Sequence, residues 1–409
     1  LSANNSYTGA TGVQAGTVLL GSSTALGATS MLTLGDNAVL DLQGNSITVG
    51  GISSSYATSI IKTTGANATL TLNNSQGNSY QYAGALKDGT GGVLSLIKND
   101  AQTLTLSGTN TYGGSTTLNG GTVILASAGA LPATTTMTLS NTSTLDLSGN
   151  SVTLLGLTSS DSYSSIRSDA VATLSVNISS NYRFDGQLLG LLSLNKLGSG
   201  ILSLGAVNVT GDPGASTNFN GTVTIQAGTL KLLTSTAWSN GYYGNNPGVI
   251  LSGSGVLDLN GMSITMDSLN SSSTSASVMS STGAATLTVN GGGTFAGALV
   301  DGVGPLSLTK TDSSSTLILS GANTYSGATV ISAGTLQIGN AGSTGSLGTG
   351  NVTNNGRLVF NKNVNTTISN VISGSGSLSA TISGTSQSLT LSSPVTLSGG
   401  ISLNATGDM

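Results

Sequence analysis

The sequence lacks three residue types on which much protein chemistry depends. Its 409 residues include no Cys and no His, and because all 14 acidic residues are Asp, Glu is absent as well. Without Cys or His, the usual nucleophile–base pairs and the usual zinc sites are excluded. Charged residues make up 6% of the chain, against about 25% in ordinary globular domains.

The few charges narrow the function classes further. Ten Lys and Arg residues at a net charge of −4 argue against nucleic acid as a partner, because phosphates are bound by Lys and Arg. The scarcity of Glu, Lys and Arg also removes the residues that favour exposed helices. Since 37% of the residues are hydrophobic, the chain is expected to fold. What remains is a large, nearly neutral, hydroxyl-rich β protein.

The absence of cysteine fits an oxidising exterior, and it also fits a chain that crosses a membrane unfolded. No apolar run approaches the ~18 residues of a membrane helix. The chain opens inside a repeat and shows no signal-peptide pattern. We therefore expect a piece of a longer, exported protein.

A motif of asparagine, an aromatic residue and glycine, followed by Gly-Thr and aliphatic residues, occurs four times. The aromatic residues are spaced 105, 107 and 106 residues apart, which predicts a structural role in a regular repeat. The aromatic positions are Tyr7, Tyr112, Phe219 and Tyr325, and the glycine positions are Gly16, Gly121, Gly228 and Gly334.

Other landmarks recur in the same order within the first three copies. An Asp-Leu-x-Gly segment begins at Asp41, Asp146 and Asp258. A Leu-Ser-Leu-x-Lys segment ends at Lys98, Lys196 and Lys310. The chain is therefore predicted to be one unit of about four macro-repeats, residues 1–106, 107–214, 215–319 and 320–409.

Short segments with an aliphatic residue at every second position fill each macro-repeat. Period two places Leu104 and Leu287 on one face of their strands and Thr105 and Thr288 on the other. Gly and Asn at the breaks supply the left-handed backbone of tight turns. No stretch has a helical period. The pattern predicts an all-β solenoid, an elongated rod of roughly 19 turns with about five turns per macro-repeat.

Residues 320–339 and 107–125 closely resemble the passenger-associated transport repeat, also called the autotransporter-associated β-strand repeat, and residues 5–21 and 218–232 resemble it less strictly. This resemblance implies the passenger of a Gram-negative type V autotransporter, typically a right-handed parallel β-helix exported through a C-terminal outer-membrane β-barrel. It implies a role of the motif in secretion and folding, not in catalysis.

Candidate sites are few. Asp41, Asp146 and Asp258 are interpreted as turn residues, although carboxylates on a solenoid face can also serve carbohydrate-active enzymes. Asp161 and Asp169, near Arg167 and Arg183, form a local charge cluster that a solvated loop explains, with a small carbohydrate or calcium contact as the alternative. We expect no catalytic residue, cofactor or metal.

One loop departs from the repeat and carries Trp238, Tyr242 and Tyr243. Insertions in solenoids collect on one face and often bind ligands. These residues are a possible ligand contact, and a simple capped bulge is the alternative. The repeat aromatics could stack on sugars, but a turn or core position is the favoured interpretation.

The sequence thus indicates an extracellular, non-enzymatic protein of the bacterial surface, an adhesin or the stalk that displays one. Its expected partners are like rods, or glycans or proteins of a host or surface, bound through Ser, Thr and Asn. A structural matrix or surface filament is the alternative, followed by a β-helical toxin or a carbohydrate-active enzyme.

Overall fold

Strands form where Thr or Ser alternates with aliphatic residues, and they stop at Gly and Asn. The computed structural model describes residues 1–28, 30–75, 77–205, 219, 221–235, 246–384 and 387–406. Over these residues the regular elements are β-strands and no α-helix occurs.

The described residues fall into two compact units. The first holds Leu1–Ile178, Tyr182–Leu194 and Gly205–Phe219, and the second holds Ser179–Asn181, Asn195–Leu204 and Asn220–Met409, in each case as far as the residues are described.

The strands up to residue 197 are β1 (Thr11–Val13), β2 (Gly16–Leu19), β3 (Met31–Leu34), β4 (Ala38–Asp41), β5 (Ile47–Val49), β6 (Gly51–Ser53), β7 (Ile60–Thr63), β8 (Ala68–Leu72), β9 (Tyr80–Tyr82), β10 (Ala85–Asp88), β11 (Leu94–Lys98), β12 (Thr103–Leu106), β13 (Thr116–Leu118), β14 (Thr122–Leu125), β15 (Thr136–Leu139), β16 (Thr144–Asp146), β17 (Val152–Leu154), β18 (Gly156–Ser159), β19 (Ser165–Asn177), β20 (Tyr182–Phe184) and β21 (Gln187–Leu197).

The later strands, all in the second unit, are β22 (Ile201–Leu204), β23 (Val223–Ile225), β24 (Thr229–Leu232), β25 (Gly248–Leu251), β26 (Val256–Asp258), β27 (Ile264–Met266), β28 (Ser268–Asn270), β29 (Ser277–Met279), β30 (Ala285–Val289), β31 (Gly293–Phe295), β32 (Ala298–Leu299), β33 (Leu306–Lys310), β34 (Thr316–Leu319), β35 (Thr329–Ile331), β36 (Thr335–Gly342), β37 (Val352–Asn354), β38 (Arg357–Lys362), β39 (Thr366–Ile368), β40 (Ile372–Gly374), β41 (Ser377–Ser383), β42 (Leu389–Leu391), β43 (Val395–Leu397) and β44 (Ile401–Thr406).

Each strand pairs in parallel with strands one turn before and one turn after it. In the first unit the longest series is β5-β8-β11-β13-β15-β18-β20, and in the second it is β27-β30-β33-β35-β37-β40-β43. Thr103 pairs with Thr122 and Ile201 with Thr229, so a turn takes from 19 to 28 residues. The predicted all-β parallel solenoid is confirmed, with about 17 turns. This is slightly fewer than expected, because several turns are longer than 20–25 residues.

The core lies between the inward faces of these strands. Leu104 and Leu287 are fully buried, whereas Thr105 and Thr288 are only half-buried. The predicted facing of these four residues is confirmed. It follows from the pleat, which sends alternate side chains to opposite faces.

A macro-repeat does not correspond to a whole number of turns. From Lys98 on β11, four steps through paired strands lead to Leu118, Leu139, Ser159 and Phe184. Phe184 lies 86 residues after Lys98, so four turns are shorter than a macro-repeat of about 106 residues. Equivalent residues of successive macro-repeats therefore occupy different sheets. In the first unit, Asp41 on β4 and Asp146 on β16 lie in different sheets, so these two carboxylates do not form a row along one sheet. Asp258 lies on β26 in the second unit.

Candidate binding surface

The repeat aromatics belong mainly to the interior. Tyr112 and Tyr325 are fully buried, and each hydroxyl forms a 2.7 Å hydrogen bond with the threonine four residues later. Phe219 is also buried, and only Tyr7 is partly exposed, at 39%. In three of the four copies this position therefore cannot stack on a sugar.

The asparagine of the motif connects three consecutive turns. Asn110 accepts a hydrogen bond from the Leu86 amide (2.7 Å) and donates one to the Ala130 carbonyl (2.6 Å). Asn323 does the same with the Leu299 amide (2.8 Å) and the Ser346 carbonyl (2.7 Å). Because a buried amide left without these bonds would cost free energy, the asparagine fixes the register of the stack.

The motif glycines stand at turns that require a left-handed backbone. Gly16, Gly121, Gly228 and Gly334 have φ of 76°, 63°, 63° and 69°. A Cβ on Gly121 would also lie 2.6 Å from the Nζ of Lys98. The Lys98 ammonium therefore lies close to this turn, a placement that was not predicted from the sequence.

Three lysines are completely buried, one at the end of each Leu-Ser-Leu-x-Lys strand. The Nζ of Lys98 donates to the Asp100 carbonyl (2.6 Å), the Asp100 carboxylate (2.9 Å) and the Gly120 carbonyl (3.1 Å). The second Asp100 oxygen accepts the Tyr80 hydroxyl at 2.7 Å. Burial lowers the pKa of Lys98, although Asp100 opposes that shift.

The other two lysines rely on backbone carbonyls. Lys196 donates to Leu197 (2.8 Å), Gly198 (2.8 Å) and Ala227 (3.1 Å), and burial lowers its pKa to about 8. Lys310 donates to the carbonyls of Asn290 (3.0 Å) and Asp312 (2.6 Å). These ammonium groups join the end of one strand to neighbouring turns and have no access to a ligand.

The sequence contains the signal for these lysines. Leu94, Leu96 and Lys98 lie at every second position of one strand, so the alternation that buries the two leucines also directs the lysine inward. Composition alone argues against this placement, because lysine is almost never fully buried unless it has a partner.

The recurring aspartates act in turns. Asp41 accepts hydrogen bonds from the amides of Gln43 and Thr64, both at 3.0 Å, and Asp146 and Asp258 accept the amide two residues later at 2.9 Å. Burial alone would raise the pKa of Asp41, but the hydrogen bonds from Gln43 and Thr64 hold it below its usual value.

Each of these aspartates also has a cation nearby. Their carboxylates lie 3.7, 3.7 and 3.5 Å from nitrogens of Lys62, Arg167 and Lys231, respectively. Hydrogen bonds and ion pairs therefore account for all three carboxylates as structural groups.

The charge cluster separates into local pairs. Arg167 also pairs with Asp169, and Arg183 pairs with Asp185 at 2.8 Å. Asp161 accepts the Thr142 amide at 2.7 Å. Within the described ranges, no group of three Asp residues that could hold a metal is found. None of the described residues forms a helix with the length and apolarity that crossing a membrane requires.

The proposed contact loop with Trp238, Tyr242 and Tyr243 lies outside the described residues, so it stays a prediction.

Each unit presents an outward line of side chains, one residue per strand, in which every member except Ile97 and Val330 carries a hydroxyl group. We call the line in the first unit the first threonine row and the line in the second unit the second threonine row. The first row is Thr48, Thr71, Ile97, Thr117, Thr138 and Thr158. The second row is Thr265, Thr288, Thr309, Val330, Thr353, Ser373 and Thr396. Their members are half-buried or exposed.

Comparison with known proteins places the repeat in a family. The passenger-associated-transport-repeat family matches residues 1–20, 96–125, 194–232 and 308–338. The last three matches each begin just before a buried lysine and include a motif glycine. The matched segments therefore contain the turns whose carbonyls accept hydrogen bonds from the buried lysines.

A curated relative has a related sequence over part of the chain. The adhesin BmaC autotransporter of Brucella suis biovar 1 (strain 1330) is 40% identical over 120 residues, which is 29% of this chain and 3% of that protein. The aligned part is therefore a small fraction of that much longer protein. No solved structure matches the chain significantly.

Proposed function

The chain is an autotransporter passenger domain built on passenger-associated transport repeats, and from this premise we propose that it is a non-enzymatic adhesin, or the stalk of one, at the bacterial surface or secreted from it. The likeness to a protein named as an adhesin supports this function. The structural use of Asp41, Asp146 and Asp258 supports a role without catalysis.

The two threonine rows carry the proposal. Neighbouring strands of a sheet lie about 4.8 Å apart, so each row offers a hydroxyl or methyl group at that interval. Thr, Ile and Val have few side-chain conformations because they branch at Cβ. The rows are therefore ordered before any partner binds, which reduces the entropy lost on association.

A second copy of the chain is the partner that suits these rows best. Every β-solenoid face repeats at the same ~4.8 Å, so many weak contacts can form in register and add their strengths. Neutral glycans of a host or surface are further partners, bound through the same hydroxyl groups.

Neither row contains a charged residue. Ion pairs weaken as the screening length falls from ~10 Å at 0.1 M salt to ~3 Å at 1 M. Association through the rows should therefore change little between these salt concentrations.

The test is sedimentation of the purified chain at 0.1 M and 1 M salt, together with the double variant Thr117→Lys, Thr138→Lys in the first row. We expect the parent to associate at both salt concentrations and the row variant to associate less. The control variant Thr105→Lys, Thr153→Lys changes outward, half-buried threonines outside both rows and should behave like the parent. A parent that is monomeric at every concentration, or that dissociates at 1 M salt, would contradict self-association.

A further inference from the structure

The later part of the second unit differs from the rest of the chain in its charges. Between residues 313 and 406 the sequence contains no acidic residue and two cations, Arg357 and Lys362. Both lie on β38, and neither takes part in an ion pair among the described residues. By contrast, Lys62, Lys98, Arg167, Arg183 and Lys231 each have a carboxylate within 4 Å.

An insertion in the repeat stands next to Lys362. Asn110 reaches the Ala130 carbonyl, five residues after Leu125, whereas Asn323 reaches the Ser346 carbonyl, eight residues after Ile338. The last copy is therefore three residues longer at this point.

The extra residues form a bulge. The register between β36 and β38 shifts between Ile338 and Gly342, and Ala341 has φ of 58°. A left-handed backbone is unfavourable for a residue with a side chain, and such strain is common at functional sites.

The bulge borders a cavity of about 200 Å³. Buried Ile338, Phe360 and Ile368 contribute apolar lining. Ser, Thr and Asn side chains contribute hydroxyl and amide groups, and Lys362 contributes the only charge in the lining. The cavity thus combines an apolar surface, neutral hydrogen-bonding groups and one ammonium.

Its walls are held in place by hydrogen bonds. Asn370 donates to the carbonyls of Gly348 (2.8 Å) and Gly350 (2.7 Å), and the Nζ of Lys362 donates to the Gly345 carbonyl (2.8 Å). Burial lowers the pKa of Lys362, which an anion beside the ammonium would reverse.

We propose that this cavity binds a sugar residue that carries a carboxylate, with Lys362 as the partner of the carboxylate. A sugar ring has an apolar face and several hydroxyls, which match the lining. The carboxylate would give the half-buried ammonium the counter-charge that five other cations of this chain have. The inference rests on the proposed function only in that the ligand is a surface glycan, and it does not involve the threonine rows.

The experiment compares D-glucuronate with D-glucose, which differ by the carboxylate, in calorimetric titrations of the full chain. We expect glucuronate to bind roughly tenfold or more tightly than glucose, as one charge-assisted hydrogen bond would give. Lys362→Met should remove this difference, and 1 M salt should reduce it. Equal affinity for the two sugars, or an unchanged preference in Lys362→Met, would overturn the proposal.

A second variant covers the case in which Lys362→Met does not fold. Asn365→Asp adds a carboxylate to the exposed part of the lining without changing the size of the side chain, and it should weaken glucuronate binding several-fold. Its control is Asn355→Asp, an exposed position outside the cavity, which should bind as the parent does.

Two further measurements distinguish the proposed sugar site from a general anion site and from self-association. If inorganic sulfate binds as tightly as glucuronate, the site recognises charge alone, and the proposed sugar ligand is wrong. Sedimentation of Lys362→Met tests the proposed self-association independently, because that association should be unchanged in this variant.

Discussion

The inward and outward faces of β12 and its paired strands differ in burial and in side-chain chemistry. Inward Leu104 is fully buried and pairs along the strands with Tyr80 and Val123, both buried. Outward Thr105 is half-buried and pairs with Ile124. The interior thus depends on packing, whereas the exterior offers hydroxyls and few charges.

The buried lysines refine this comparison. Lys98, Lys196 and Lys310 occupy buried inward positions, where Lys98 pairs with Leu72 and Leu118 on the neighbouring strands. Each lysine, however, stands near the end of a strand, where turn carbonyls accept its hydrogen bonds. Two or three hydrogen bonds then replace water around the ammonium. At these three positions the interior accommodates an ammonium because the backbone supplies acceptors for it.

The largest effect is expected for a charge placed in the middle of an inward face. Leu104→Asp buries a carboxylate between turns without a partner and should destabilise the first unit by several kcal/mol. Thr105→Asp should change stability by no more than about 0.5 kcal/mol, as surface substitutions usually do. Urea unfolding of both variants measures the difference. Equal effects at the two positions would contradict the inward and outward assignment.

A smaller effect is expected where a buried lysine is removed. Lys98→Met leaves the buried carboxylate of Asp100 without its cation and should cost about 3–5 kcal/mol. Lys196→Met leaves only carbonyls without a donor and should cost about 1–3 kcal/mol. Chemical denaturation ranks the two variants, and a larger loss in Lys196→Met would show that the carbonyls, not Asp100, dominate.

The smallest effect is a dependence on pH. The pKa of Lys196 is about 8 in the folded chain against an ordinary 10.5, so between these values the unfolded chain binds more protons and stability rises with pH. Since one pKa unit corresponds to about 1.4 kcal/mol, the full interval corresponds to about 3.5 kcal/mol, of which about 2 kcal/mol should be gained by pH 9.5.

Buried tyrosines reverse the trend at higher pH. Burial raises the pKa of Tyr80, Tyr82 and Tyr112 above 10, so above pH 10 the unfolded chain loses protons first and stability falls. Urea midpoints at pH 7, 9.5 and 11 should show a maximum near pH 9.5. Lys196→Met should show a smaller rise, and an identical rise would assign it to other groups.

Much of the fold could be predicted from local sequence, because a pleated strand has an invariant period. Alternation placed Leu104 and Leu287 inside, and glycine at Gly121 and Gly334 indicated turns that have left-handed φ in the structure. The cavity at Lys362 could not be predicted in this way. It needs the insertion after Ile338 to pack against the side chains of the following turn, and the period of the strands does not predict that contact.

The amino-acid sequence by itself determined the class of structure and the chemistry that is excluded, because period, turn residues and composition are local properties. Only the tertiary structure decided which residues become neighbours. The macro-repeat spans between four and five turns, so equivalent Asp41 and Asp146 belong to different sheets, whereas Thr117 and Thr138, which are not equivalent, share a row. Stacking brings together residues one turn apart, and the length of each turn depends on loops and insertions whose conformations are set by contacts with the neighbouring turns.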